Sequence, residues 1–379
     1  MKQKIDKIFS LDFILMSLTT FVSFCSFYFI LIILPIYITQ IGGKESEVGM
    51  IVGIFSFSAI IFRPFLSLIS DLRGRKFVVA IGLTILTISP LIYNFTNEIW
   101  VLFLLRILHG FGWGAFVTTI FVMISEIIPP KKRGEAVGYW GIFINLAMAI
   151  APVVGMFIFN KTNFFIFFLV SSIISLLGLL ILIPVKETGK IIDKQYLKIE
   201  LFEKKALFPS FILFLLTLSY ASIITFLPLF TLKNNMNIGL FFTVYSFFLI
   251  ILRGFSGRLS DIYGRKSIII PGLIITTIGI FILSFSKSFL LFIIVAILYG
   301  IGFSAVQTST MALAIDRSTE QNRSISMSTI SISMDIGIGV GSVLWGFVLQ
   351  LTNFNIMFLS TSVPLIIGII YLLVNFNKD

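Results

Sequence analysis

Two short stretches set acid beside base in an otherwise apolar chain. S-D-L-R-G-R-K at 70–76 and S-D-I-Y-G-R-K at 260–266 each gather a carboxylate and at least two bases around a glycine, 190 positions apart. That grouping suits reversible ion pairing rather than bond-breaking chemistry. Asp71 and Asp261 can take the free N–H groups of a helix start, where the dipole favours negative charge. Gly74 and Gly264 let a short loop reverse direction. Arg75, Lys76, Arg265 and Lys266 can pair with acids on adjacent loops or with lipid phosphate. Other chemistries are excluded. The chain has one His and one Cys, so the usual metal and nucleophile constellations cannot assemble. No G-x-x-x-x-G-K-[ST] phosphate loop is present, so ATP does not power the protein directly. The expectation is no enzyme, no cofactor and no metal, with Cys25 a buried structural thiol.

The elements that must position these residues are apolar. Of the 379 residues, 58% are hydrophobic and 12% charged. Soluble domains run near 45–50% and about 25%, so lipid must cover much of this surface. Twelve apolar runs fit the roughly 20 residues a helix needs to cross the hydrocarbon core. They lie at about 13–38, 47–70, 77–95, 99–125, 136–159, 164–184, 208–232, 238–260, 267–285, 289–314, 325–349 and 354–375. The first follows Lys2, Lys4 and Lys7. It reads as a span rather than a signal peptide, being too long and lacking a small-x-small cleavage site. The net charge of +11 is not a nucleic-acid patch. With the N-terminus placed in the cytoplasm, cytoplasmic segments hold 21 of the 28 Lys and Arg, and outer loops hold only Lys44, Lys161, Lys233 and Lys287. This positive-inside bias puts both termini in the cytoplasm. The remaining three bases, Arg63, Arg106 and Arg253, lie inside spans.

The 190-residue offset holds well beyond the heptads. It aligns Gly49 with Gly239, Arg63 with Arg253, Gly110 and Gly112 with Gly300 and Gly302, and Arg133 with Arg323. The chain therefore reads as an all-α membrane protein: twelve transmembrane helices in two six-helix pseudo-repeat halves. Parallel repeats of this kind mark secondary transporters. The expected domains are a six-helix bundle at 1–184, a cytoplasmic linker at 185–207 carrying a short amphipathic surface helix, and a second bundle at 208–379.

Four motifs resemble the major facilitator superfamily, and within it the twelve-helix drug and metabolite exporters. G-R-L-S-D-I-Y-G-R-K at 257–266 resembles that family's G-x-L-x-D-R-x-G-R-K, with Ile262 in place of Arg. The first copy has Ser67 for the leading Gly and Leu72 for the Arg. L-F-L-L-R-I-L-H-G-F-G-W-G at 102–114 resembles l-x-x-x-R-x-x-q-G-x-g, with His109 at the Gln position. I-S-E-I-I-P-P-K-K-R-G at 124–134 resembles S-E-x-x-P-x-x-x-R-G. A-M-A-I-A-P-V-V-G-M at 147–156 resembles the antiporter pattern G-x-x-x-G-P-x-x-G-G, with Ala147 and Ala151 for two glycines and Met156 for the last. The resemblance implies a cytoplasmic latch between the halves. Its members would be Asp71, Gly74, Arg75, Lys76, Asp261, Gly264, Arg265 and Lys266 with Glu126, Arg133, Asp316 and Arg323. It implies proton coupling through Arg106, and export through the helix built around Ala147, Ala151, Pro152 and Gly155.

Within the spans, Arg106 lies about seven residues deep, where a charge costs about 2.5–3.5 kcal/mol and is functional by default. His109 lies one turn on, and it is either a structural group or a proton carrier. Asp335 is the only acid deep in a span. The resemblance implies that helix 11 packs against helix 2, and with depths that match the expected partner is Arg63, with Arg106 second; the pair is either a proton carrier or a static bridge. Tyr28, Trp113, Tyr220, Tyr299, Phe303 and Gln307 are substrate-cavity candidates. The resulting expectation is proton-coupled efflux of a small amphipathic or drug-like molecule by alternating access. The partners are that substrate, protons and membrane lipid but no nucleic acid, for a monomer in the plasma (inner) membrane. The alternatives are a proton-coupled importer of a nutrient or metabolite, and a non-transporting receptor on the same scaffold.

Overall fold

The computed structural model describes residues 8–129, 132–188, 202–286, 288–319 and 322–375. These residues are helical apart from short connections. The helices are α1 (Leu11–Gln40), α2 (Glu45–Arg73), α3 (Arg75–Tyr93), α4 (Ile99–Ile127), α5 (Arg133–Lys161), α6 (Phe164–Leu182), α7 (Leu207–Lys233), α8 (Ile238–Tyr263), α9 (Arg265–Phe285), α10 (Phe289–Arg317), α11 (Arg323–Leu351), α12 (Phe354–Ser360) and α13 (Ser362–Asn375). Taking α12 and α13 together, twelve segments among the described residues are long and apolar enough to cross a membrane. The protein is an all-helical, multi-pass membrane protein.

The last run was expected as one helix, and it is broken at Thr361. Pro364 lacks the N–H that would bond the carbonyl of Ser360, and Thr361 N–H instead bonds Met357 and Phe358 at 3.1 Å each. The surface amphipathic helix expected in the linker falls outside the described residues. So does the side chain of Arg133.

The chain divides into two compact units that do not follow chain order. One holds Met1–Ile30 and Ser58–Leu197, and the other Leu31–Phe57 and Lys198–Asp379. In the first unit α3 packs on α4 and α6. Its closest point is at Gly82, where an added Cβ would stand 2.7 Å from the Gly112 carbonyl oxygen. Only small residues permit such an approach. The indole N–H of Trp140 donates to Thr20 at 2.9 Å, tying α5 to α1.

The second unit repeats the contact between α9 and α10. Gly272 and Gly302 stand 190 positions beyond Gly82 and Gly112, and a Cβ on Gly302 would lie 2.7 Å from the Gly272 carbonyl oxygen. α7 packs chiefly on α11, with Trp345 donating to the Leu218 carbonyl at 2.7 Å. The first half of α2 also lies against α11 in this unit. A Cβ on Gly49 would come 2.3 Å from the Ser342 carbonyl oxygen, and one on Gly53 2.8 Å from that of Gly339. Large apolar side chains remain uncovered on the outside of both units, among them Phe65, Phe157, Phe255 and Leu373. In a membrane these face hydrocarbon.

Candidate functional site

The two acid–base stretches form the same cluster twice. Gly74 ends α2 at φ +102° and Gly264 ends α8 at φ +87°, a region that only glycine enters freely. The reversal turns Arg75 back over its own helix end. Its guanidinium donates to Asp71, to Ser70 at 2.6 Å and to Glu126 on α4 at 3.2 Å. Arg265 repeats this with Asp261, with Ser260 at 2.7 Å and with Asp316 on α10 at 2.8 Å. Glu126 and Asp316 are thus brought to the bases, as their motif positions suggested. Lys76 instead donates to the Ile183 carbonyl at 2.6 Å. Arg323 opens α11 as an exposed side chain.

The copies differ in burial. Asp71 is 16% exposed and Asp261 64%. In the first copy the chain after α6 returns to the cluster. Glu187 accepts the backbone N–H groups of Arg75 at 2.8 Å and Lys76 at 3.0 Å, and Thr188 donates to Glu126 at 2.7 Å. The carboxylate that receives a free helix start is therefore Glu187, while Asp71 is turned to Arg75. Sequence reasoning missed Glu187, Thr188 and the two serines. Ser70 and Ser260 stood at matching positions of the repeated stretches, and that was the available signal.

Arg106 does not reach a surface. It is 1% exposed, as is His109. The Tyr93 hydroxyl and His109 Nδ1 are 2.8 Å apart, and Arg106 approaches the same nitrogen at 3.5 Å. Tyr93 lies in no motif and was not foreseen.

Asp335 is half-buried on α11. Its neighbour Ser333 donates to the Ser210 carbonyl of α7 at 2.6 Å. Arg63 is half-buried on α2, beside Pro64.

The aromatic candidates gather separately within each unit. In the first, Trp113 stacks on Phe27 at 4.1 Å between ring centres and meets Phe24 at 4.8 Å, with Tyr28 beside Phe27 at 5.4 Å. In the second, Tyr220 meets Phe303 at 4.9 Å and Tyr299 at 6.1 Å, and Tyr245 joins them. Gln307 is half-buried on α10. On α5, Ala147 and Ala151 are fully buried, Pro152 lies within the helix, and a Cβ on Gly155 would touch the Phe29 ring at 3.2 Å. Among the described residues no cluster of His, Cys, Asp and Glu could hold a metal.

A doubled six-helix unit with one charge cluster per copy matches a known family pattern over nearly its whole length, at residues 16–233 and again at 209–378. The chain belongs to the Major Facilitator Superfamily. It is a membrane transporter and not an enzyme. An uncharacterised MFS-type transporter of Methanocaldococcus jannaschii, MJ1560, is 27% identical over 369 residues, covering 93% of this chain and 95% of that protein. The quinolone resistance protein NorA of Staphylococcus aureus is 23% identical over 180 residues, 48% of this chain and 46% of NorA. A crystal structure of a POT family transporter with a thioalcohol-conjugated peptide superposes with a TM-score of 0.82 at 13% identity. That match covers 97% of this chain and 96% of the other, and it establishes likeness of fold.

Proposed function

We propose that this transporter is a proton-coupled exporter of small amphipathic molecules, set in the plasma membrane with both termini in the cytoplasm. The repeated triads Asp71–Arg75–Glu126 and Asp261–Arg265–Asp316 carry the reading. Ion pairs at a helix junction that break and re-form at modest cost suit a latch used once per alternating-access cycle. Export is favoured by the half-length likeness to NorA and by the close-packed Ala147, Ala151, Pro152 and Gly155 stripe of α5. Within this reading Asp335 carries the proton, with Arg63 as its sequence-based partner. A carboxylate moving between a paired and a desolvated setting changes its proton affinity, as a carrier must.

Growth-inhibition panels in a pump-deficient host test the function. Expression should raise tolerance to some amphipathic compounds, and Arg106→Ala at equal expression should abolish the gain. Sensitisation by the wild-type chain would favour import instead.

A further inference from the structure

The charges buried within the membrane-crossing helices do not balance. Among the described residues, at least seven positions from either end of a helix, only four side chains are Arg, Lys, Asp or Glu: Arg63, Arg106, Arg253 and Asp335. Three guanidinium groups stand against one carboxyl group. The 190-residue repeat doubles the arginine, Arg63 and Arg253, but not the acid, since Asp335 corresponds to Asn145.

Arg253 has no counter-charge beside it among the described residues. Among the described residues it makes no ion pair or hydrogen bond. Its place on α8 rules out ordinary escape to lipid headgroups. The buried residues of α8 include Tyr245, Ser246, Leu249, Ser256 and Ser260. At about 100° per residue these occupy one face, and Arg253 falls on it between Ser246 and Ser260. The exposed Phe247, Ile251, Phe255 and Ile262 lie on the opposite side, where hydrocarbon must be. Yet Arg253 is itself half-exposed, so it opens onto uncovered space on the protein-facing side.

The neighbourhood is loosely filled. One turn on, a Cβ at Gly257 would meet only the Thr308 methyl of α10, at 3.6 Å. The Thr308 hydroxyl is buried without a hydrogen-bond partner. A planar cation with several donors beside an unused hydroxyl is a fitting receptor for an oxyanion. An intramembrane charge left unpaired is costly to keep and marks a functional position by default.

We propose that Arg253 binds an acidic group of the transported molecule, so that the substrate is an organic anion or zwitterion. This rests on the transporter reading above and narrows it, because a cationic substrate would be repelled by the Arg253 guanidinium.

Three probes with one ring system and permanent charge separate the cases: 1-naphthalenesulfonate, the neutral 1-naphthalenesulfonamide, and (1-naphthylmethyl)trimethylammonium. Binding to the purified full chain is followed by tryptophan quenching, and each variant's fold is checked by gel filtration. The sulfonate should bind about 10–100-fold more tightly than the sulfonamide, the span expected of a hydrogen-bonded charge. Arg253→Gln should erase that preference, and Arg253→Lys should keep part of it. Sulfonate binding no tighter than that of the sulfonamide, or unchanged in Arg253→Gln, overturns the assignment. Tightest binding of the ammonium probe overturns it as well. Arg253-dependent sulfonate binding without gradient-driven movement of any probe would leave the site standing and defeat the transporter mechanism instead.

Discussion

Glu187 sets its carboxylate on the first amide of α3, accepting the Arg75 N–H at 2.8 Å. The N-cap of that helix is Gly74, which offers no side chain, so Glu187 supplies the missing cap from beyond α6. It also joins the segment after α6 to the cluster around Arg75. Among the described residues the second copy has no such partner near its glycine, since none of them lies within 4 Å of a Cβ on Gly264.

Glu187→Ala should therefore lower stability by about 1 kcal/mol, the usual cost of losing a helix cap. Thermal melting in detergent checks this. An unchanged melting temperature would mean that water replaces the carboxylate without loss.

Burial predicts unequal costs for the two aspartates. Asp71→Asn should destabilise by about 1.5–3 kcal/mol, the range for hydrogen bonds to charged groups. Asp261→Asn, at 64% exposure, should cost about 0–1 kcal/mol. Asp71→Asn should also slow transport more at equal expression. Equal effects on melting and rate would contradict the asymmetry.

Much of this cluster was legible in the sequence. A fixed offset carried Arg75 onto Arg265 and Glu126 onto Asp316, and burial in lipid forced the twelve runs. Glu187 was not legible, because a lone acid in a polar connector has no periodicity to assign it a partner. Tyr93 was hidden for a different reason: an aromatic residue in an apolar run carries no pattern that separates lipid contact from buried hydrogen bonding. The grouping of residues 31–57 with the second unit depends on long-range packing at Gly49 and Gly53, which single-residue spacing does not encode.

The paired glycines yield a packing test. Gly74→Ala and Gly264→Ala should both be strained by about 1–3 kcal/mol, the cost of a side chain held at positive φ with extended ψ, where essentially only glycine sits. Gly74→Ala should cost more, because its Cβ would meet the Glu187 carboxylate at 2.6 Å. In a Glu187→Ala background the two substitutions should become equal. A persistent difference would place the crowding elsewhere.

Acid should loosen the junction before α7. Glu203 accepts the Lys205 backbone N–H at 3.1 Å and the Asn322 side-chain amide at 2.5 Å, which hold its carboxyl below the usual range. A depressed folded value means that the contribution is present above the unfolded value of about 4.3 and is lost as pH falls through the folded one. Glu203→Gln should flatten the dependence of melting temperature on pH below about 5. An unaltered slope would show that Glu203 is not its source.

The central claim, that protons drive the transporter through Asp335, is tested most directly in everted membrane vesicles acidified inside. Lumenal accumulation of the three naphthyl probes is measured for wild type and Asp335→Asn at equal expression. The account predicts that wild type concentrates at least one probe against its gradient. Asp335→Asn should concentrate none, while still exchanging that probe downhill. No accumulation by wild type, or equal accumulation by Asp335→Asn, would contradict it.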